Sequence, residues 1–296
     1  MKEERWGNIG SKYSHLTSVH PCYNEKMHFK TARIHLPVAP KCNIQCGYCV
    51  RSIDKCEHRP GVSSSIMTPK EALEQVDKYV KEMDNLKVVG IAGPAESLAN
   101  DATFETLRMV NEKHPDLIKC IASNGLLLSE KIDELKAVGL NSVTVTVNAV
   151  NPETAAKIYK WVRYHDKTYK GLEAAELLLE KQWEGVKAAV EAGFVVKINT
   201  VLLPDINMDE IEDIAKKAAE YGAYIMNIIP LIPLYDFENS EPPTCDDLKQ
   251  VRDVAGKYLP QFRLCQQCRA DAVGVPGAEP CGSPVQKRAQ GEYFHG

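Results

Sequence analysis

Short apolar runs alternate along most of the chain with longer stretches whose apolar positions recur every three to four residues. The short runs predict strands over 32–39, 86–92, 117–122, 142–147, 194–202 and 223–229. The longer stretches predict helices over 68–83, 102–113, 129–138, 172–191, 208–221 and 245–258. The first of these opens with Thr68-Pro69-Lys70-Glu71, an N-cap, a Pro in the first turn and an acidic third position. Residues 151–170 form an insertion with no assignable pattern, and beyond Pro230 the chain is rich in Pro and Gly. Strand–helix alternation predicts a parallel sheet with helices packed on it. Six units are fewer than the eight that close a full barrel. The expectation is an α/β fold, a partial (β/α)6 TIM-like barrel, as a single domain over 1–296. It would have an N-terminal arm at 1–31, the barrel at 32–230 and a C-terminal extension at 231–296.

Composition narrows the function. The 296 residues are 44% hydrophobic, enough for one sizeable core, and 36 Lys+Arg against 40 Asp+Glu leave a net charge of −4. That balance lacks the basic footprint of a nucleic-acid binder. No run of 18 apolar residues suggests a membrane span, and the polar start MKEERWGNIGSKYSHLTSVHPC lacks a signal peptide's apolar stretch. These features predict a cytoplasmic protein with no nucleic-acid or membrane partner. Ten cysteines change the picture, because five of them, at 22, 42, 46, 49 and 56, crowd one short region. In a cytoplasmic chain such crowding points to metal binding or redox chemistry rather than disulfides.

Cys42-Asn43-Ile44-Gln45-Cys46-Gly47-Tyr48-Cys49 has the spacing CxxxCxxC and follows the first predicted strand. Three thiolates can hold three irons of a [4Fe-4S] cubane and leave the fourth open, whereas a cluster that only carries electrons usually takes four cysteines. An open iron can chelate a substrate; a zinc site or incidental thiols are the other readings. The spacing, with Tyr48 before the last cysteine, resembles the signature of the radical S-adenosylmethionine (SAM) superfamily. That resemblance implies SAM on the open iron, cleaved by one electron to a 5′-deoxyadenosyl radical, while the protein positions it and excludes water. It also implies SAM contacts from Tyr48, from Gly93 and Glu96 in the turn GIAGPAE, and from Asn124, Asn148 and Asn199 near strand ends. Strand C-termini are where barrel enzymes bind ligands, although each Asn reads equally well as a turn or capping residue.

Six further residues could ligate metal: Cys22, His35, Cys56, Cys120, Cys265 and Cys268. Cys120 also reads as a small core residue, His35 as a packing residue, and Cys265 and Cys268 as a redox or zinc pair. The segments HPCYNEKMH, ARIHLPVAPKCNIQCGYC, RPGV, GIAGPAESLAN, ASNG, TVTVNAVNPE and CQQCRADAVG, in this order over residues 20–274, resemble NifB-type enzymes that build the core of the nitrogenase iron–sulfur cofactor. Two places depart from that pattern. The stretch between Cys49 and Arg59 sets Cys56 directly beside Glu57, and Glu96 stands where Asp is common.

The resemblance implies three [4Fe-4S] clusters, one that binds SAM and two that are merged into an 8Fe cluster with a carbide from a SAM methyl group. One SAM would methylate a cluster sulfide and a second would supply the radical. The six further ligands would divide as His35, Cys56 and Cys120 for one unit, and Cys22, Cys265 and Cys268 for the other. Glu57 would be a temporary iron ligand or proton acceptor, its other reading being a partner of Arg59. Cys245 and Cys281 are expected to be non-ligands. Implied partners are an iron–sulfur cluster donor, an electron donor such as a ferredoxin, and a nitrogenase cofactor scaffold or carrier protein. The carrier is expected to be separate, because the chain ends at Gly296 without room for a fused carrier domain. Rival readings are a radical SAM enzyme whose auxiliary clusters serve sulfur insertion or electron relay, and a non-enzymatic iron–sulfur carrier.

Overall fold

The computed structural model describes residues 13–277 and 292–294. The strands, in chain order, are β1 (Ala32–His35), β2 (Ile44–Cys46), β3 (Arg51–Ile53), β4 (Val62–Ser63), β5 (Leu86–Ile91), β6 (Ile118–Ser123), β7 (Ser142–Thr146), β8 (Tyr159–Tyr164), β9 (Lys167–Tyr169), β10 (Val195–Leu202), β11 (Ile225–Pro230), β12 (Val273–Gly274) and β13 (Glu292–Phe294). Six of them form a parallel run in the order β11-β10-β7-β6-β5-β1, and β12 adds antiparallel to the β1 edge. This is a curled half-barrel, with helices packed on its outer face. β1 ends four residues earlier than its apolar run suggests, because Pro37, with no N–H to donate, stops the ladder.

Helices begin where the local chemistry dictates. Thr68 accepts from the Glu71 N–H at 3.3 Å while the Glu71 carboxylate accepts from the Thr68 N–H at 2.8 Å, closing a reciprocal cap on Pro69–Glu82. The main core lies between sheet and helices: Ile34, Val89, Ile121, Val143 and Ile198 pack against Val76, Leu107, Leu135, Trp183 and Ile214. Side chains alternate across a strand, so the opposite parity lines the concave face. His35, Gly90, Cys120, Thr144, Lys197 and Asn199 share that face with Ala92, Ala122, Thr146 and Val201, which line the central cavity. Residues 151–170 become a helix, Pro152–Ile158, followed by the hairpin β8-β9, which pairs with β2. The pairing partner lies far off in sequence, Ile44 opposite Val162, 118 residues away, beyond any local pattern.

Candidate active site and inner ligand tier

The residues between the first three cysteines explain the shape of their loop. Gln45 is buried, and its amide donates to the Cys46 and Cys49 carbonyls, both at 2.9 Å, while its side-chain oxygen accepts from Arg51 at 3.2 Å. The Gly47 N–H donates to the Ile158 carbonyl at 2.7 Å, and a Cβ at Gly47 would come within 2.8 Å of the Phe237 ring. β8 lies against β2 with Tyr159 opposite Cys46, so the insertion braces the cysteine loop. Cys42, Cys46 and Cys49 all line one cavity of about 230 Å³ at the C-terminal ends of the parallel strands.

Burial pushes the Cys42 thiol up to about 12, against the pull of the Arg51 guanidinium. Cys46 is raised by burial and then by the nearness of Cys49 and Cys42. Burial thus keeps the free Cys42 and Cys46 thiols protonated, but a coordinating metal inverts that logic by deprotonating its thiol ligands outright. Among the described residues no three His, Cys, Asp or Glu side chains converge as a single ion would require. A cubane attaches each ligand to a different iron, so this donor set fits a [4Fe-4S] cluster.

Tyr48, Glu96 and Asn124 line the same cavity. The buried Glu96 carboxylate accepts from the Leu98 N–H at 3.0 Å, the Ser123 hydroxyl at 2.7 Å and the Asn124 N–H at 2.6 Å. It ties the Gly-rich turn to the end of β6, and burial raises its pKa. Asn124 donates to the Asn43 side chain at 2.6 Å and accepts from the Leu126 N–H at 3.0 Å. Gly93 takes φ +125°, a region suited to glycine, and hands the chain to Pro94 and Ala95 in the cavity wall. Asn148 is fully buried behind the wall. It donates to the Tyr48 hydroxyl at 2.8 Å and the Tyr159 hydroxyl at 3.2 Å, and accepts from the Val201 N–H. Asn199 sits deeper on β10, accepting from Asn227 at 3.1 Å. Neither Asn148 nor Asn199 is brought to the cavity wall. Glu57 is held bidentately by Arg59, at 2.6 and 2.9 Å, and accepts from Ser52 at 3.1 Å, while Arg59 itself reaches the cavity.

A second group lies further inside. Register places His35, Gly90 and Cys120 in one row across β1, β5 and β6. A Cβ on Gly90 would stand 3.1 Å from both the Cys120 Sγ and the His35 Cδ2, so the glycine leaves thiol and imidazole facing one gap. His35 Nδ1 lies 3.1 Å from the Arg269 carbonyl. A carbonyl only accepts, so Nδ1 carries the proton and Nε2 keeps a lone pair free for a metal. Burial, then Arg33, lowers the His35 pKa to about 4 and keeps the ring neutral. Burial raises Cys120 to about 12, with Cys22 close enough to push it higher. Cys22 is raised by burial and further by Cys268 and Cys265. Arg33 donates to the Cys268 Sγ at 3.1 Å.

Cys22, His35, Cys120, Cys265 and Cys268 are therefore neighbours. Cys56 is exposed on the loop after β3, its N–H donating to Asp54 at 2.6 Å. Arg269 connects it to the rest: its guanidinium donates to the Asp54 and Glu57 carbonyls, and its own carbonyl takes His35. Cys22 lies near Cys120 as well as near Cys265 and Cys268, and Cys56 stands apart. Cys245 is exposed at the start of the helix Cys245–Ala255, and Cys281 lies outside the described residues. Sequence reasoning missed Gln45, Arg51, Tyr159, Lys197 and Arg269. Gln45 and Arg269 could have been suspected from their places inside or beside cysteine motifs; the others carry no local signal.

Comparison with known proteins agrees with this geometry. Residues 36–218 match the family model of the radical SAM superfamily. The FeMo cofactor biosynthesis protein NifB of Methanocaldococcus infernus is 56% identical over 267 residues, covering 90% of this chain and 88% of that protein. The NifB of Methanocaldococcus jannaschii is 53% identical, covering 90% of each. Among solved structures, TYW1 with a lysine-pyruvate adduct aligns with a TM-score of 0.52 at 12% identity, covering 87% of this chain and 81% of that one. The anSMEcpe enzyme with bound AdoMet aligns at 0.52 and 19% identity, covering 76% and 60%. At such identities the two structures speak for the fold alone.

Proposed function

Because the chain belongs to the radical SAM superfamily, and within it to the NifB family of FeMo cofactor biosynthesis proteins, we propose that it fuses two [4Fe-4S] units, its substrates, into an 8Fe cluster carrying a carbide from a SAM methyl group. The observation that supports this reading is the stacking of two ligand-rich tiers in one half-barrel. Cys42, Cys46 and Cys49 line the mouth, and Cys22, His35, Cys120, Cys265 and Cys268 gather below it. An enzyme that needed only a radical would have no use for the second tier.

Cys42, Cys46 and Cys49 would hold the resident [4Fe-4S] cluster, which together with SAM supplies an electron and a 5′-deoxyadenosyl radical. Glu96 and Asn124 shape the wall that SAM would occupy, with one lone-pair position of Glu96 still free after its three bonds. Tyr48, fixed from behind by Asn148, closes that wall against water. The inner-tier residues and Cys56 would hold the substrate units through three protein ligands each, leaving every unit an open iron and a releasable attachment. Glu57 would accept a proton or bind iron only by leaving Arg59. One SAM would give its methyl to a substrate sulfide and depart as S-adenosylhomocysteine. A second would take one electron, release methionine and remove a hydrogen atom from that methyl to leave as 5′-deoxyadenosine, the two remaining hydrogens leaving as protons while the cluster irons supply the electrons. An electron donor, a cluster donor and a cofactor scaffold or carrier are the partners this requires, in the cytoplasm. The domain would act as one unit, with arm and extension contributing ligands to the barrel.

Reduced, cluster-replete protein supplied with SAM should yield both 5′-deoxyadenosine and S-adenosylhomocysteine. Appearance of the first without the second would replace this reading by a radical enzyme with auxiliary clusters for sulfur insertion or electron relay. No SAM cleavage at all would leave an iron–sulfur carrier.

A further inference from the structure

Lys197 is 7% exposed on the inner face of β10, and among the described residues its ammonium meets no carboxylate and no hydrogen-bond acceptor. Only ring faces approach it, Tyr23 at 5.2 Å and Phe262 at 5.9 Å. Its stem is buried, but its ammonium keeps open space beside it, and the cation–π contacts satisfy only part of its charge, so it can still take an anionic partner there. Tyr23 and Phe262 belong to the apolar cluster against which Cys22 and Cys265 pack, so the ammonium stands beside the inner-tier ligands, and an anionic group bound among them would pair with it.

His20 points the same way. Its Nδ1 accepts the Cys22 backbone N–H at 3.0 Å, so that nitrogen carries no proton and the proton sits on Nε2. His20 is buried at 3% exposure, and among the described residues its Nε2 has no partner. A buried N–H without an acceptor is a loss of about 1–3 kcal/mol unless something fills the role. The two histidines are thus set in opposite tautomers. His35 presents a lone pair, as a metal ligand must, whereas His20 presents a donor, as a residue facing a metal-bound sulfide must.

We infer that Lys197 and His20 are positioning residues that hold anionic iron–sulfide cargo in the inner tier, Lys197 by its charge and His20 by donating Nε2–H to a cargo sulfide. The inference rests on the reading of the inner tier as a substrate site and adds two residues that bind cargo without ligating iron. Net charge and hydrogen bonds to sulfur set the potential of such clusters, so both residues should be legible in a potential as well as in occupancy. A cation favours the reduced, more negative state, and its removal lowers the potential.

The test uses anaerobically reconstituted full-length protein without SAM, so that turnover plays no part. Iron content and EPR-monitored redox titration are compared for the native chain, Lys197→Met and Lys197→Arg. Lys197→Met should shift the inner-tier signals to more negative potential and lose inner-tier iron, while Lys197→Arg restores both. Unchanged potential and iron in Lys197→Met would overturn the inference, and so would an equal shift in both variants, which would mark a packing role. A second measurement needs no variant: pulsed EPR of the native protein in H2O and D2O should show an exchangeable proton coupled to an inner-tier cluster. Its absence would remove His20 as donor. Native protein that carries iron for only one cubane would instead bring down the substrate-site reading itself, a result distinct from either failure above.

Discussion

At the scale of single residues, the half-barrel works by what its side chains leave open. Gly90 is the clearest case, since its missing Cβ is the gap that His35 and Cys120 both face. Gly90→Ala should fold, at a cost of about 1–3 kcal/mol for overpacking. It should also displace thiol and imidazole enough to strip one cubane's worth of iron, read by iron analysis beside a thermal melt. His35→Ala should leave SAM binding and the mouth cluster intact while lowering the yield of 8Fe product. Pulsed EPR should then lose a nitrogen coupling that the native protein shows. An imidazole is a more easily displaced ligand than a thiolate, which suits a unit that must move and fuse. If the coupling survives, His20 is not the substitute, because its Nε2 carries the proton. His28 is, because its Nδ1 donates to the Pro21 carbonyl at 2.8 Å and leaves Nε2 with a lone pair.

At the scale of elements, two devices hold the ligand loops, and neither shows in any local pattern. One is the hairpin β8-β9 against β2, which braces the mouth cysteines through Gly47 and Tyr159. The other is a strap in which Arg269 and Asp271, just after Cys268, bind the loops on either side of β4. Burial alone would raise the Asp271 carboxyl, but Arg269 and Ser64 bind its charged form and hold it at about 2. A depressed carboxyl contributes stability above its unfolded value of 3.8 and loses it as pH falls through the folded value. The shift corresponds to about 2 kcal/mol. Asp271→Asn should therefore lower the unfolding free energy of cluster-free protein by roughly that amount at pH 7. Urea titrations repeated toward pH 2 should bring variant and native chain together; a gap that persisted there would mean the strap acts through shape, not charge.

At the scale of the whole molecule, the sheet and its helices were legible because each strand and each amphipathic helix announces itself within its own few residues. Thr68 with Glu71 marks a helix start, whereas the stop that Pro37 imposes on β1 was not read from the apolar run, which continues to residue 39. The mouth motif was legible for the same reason, its three cysteines lying within eight residues. The inner tier was legible only as a set of residues. Its grouping depends on register between β1, β5 and β6, and on a C-terminal segment that returns to lie against β1. The two tiers share no ligand, and of the two ligand groups the hairpin pairs with the mouth loop, so the tiers should load independently. The loaded protein should carry about twelve irons, four per cubane. Joint replacement of Cys42, Cys46 and Cys49 by Ala should remove about four of these and abolish SAM cleavage, leaving about eight in the inner tier. Joint replacement of Cys22, Cys265 and Cys268 should do the converse, sparing SAM binding while depleting inner-tier iron. Iron and sulfide analysis with SAM-binding titration checks both directions. A mouth variant that loses all its iron would show that the inner tier cannot assemble without the cluster above it.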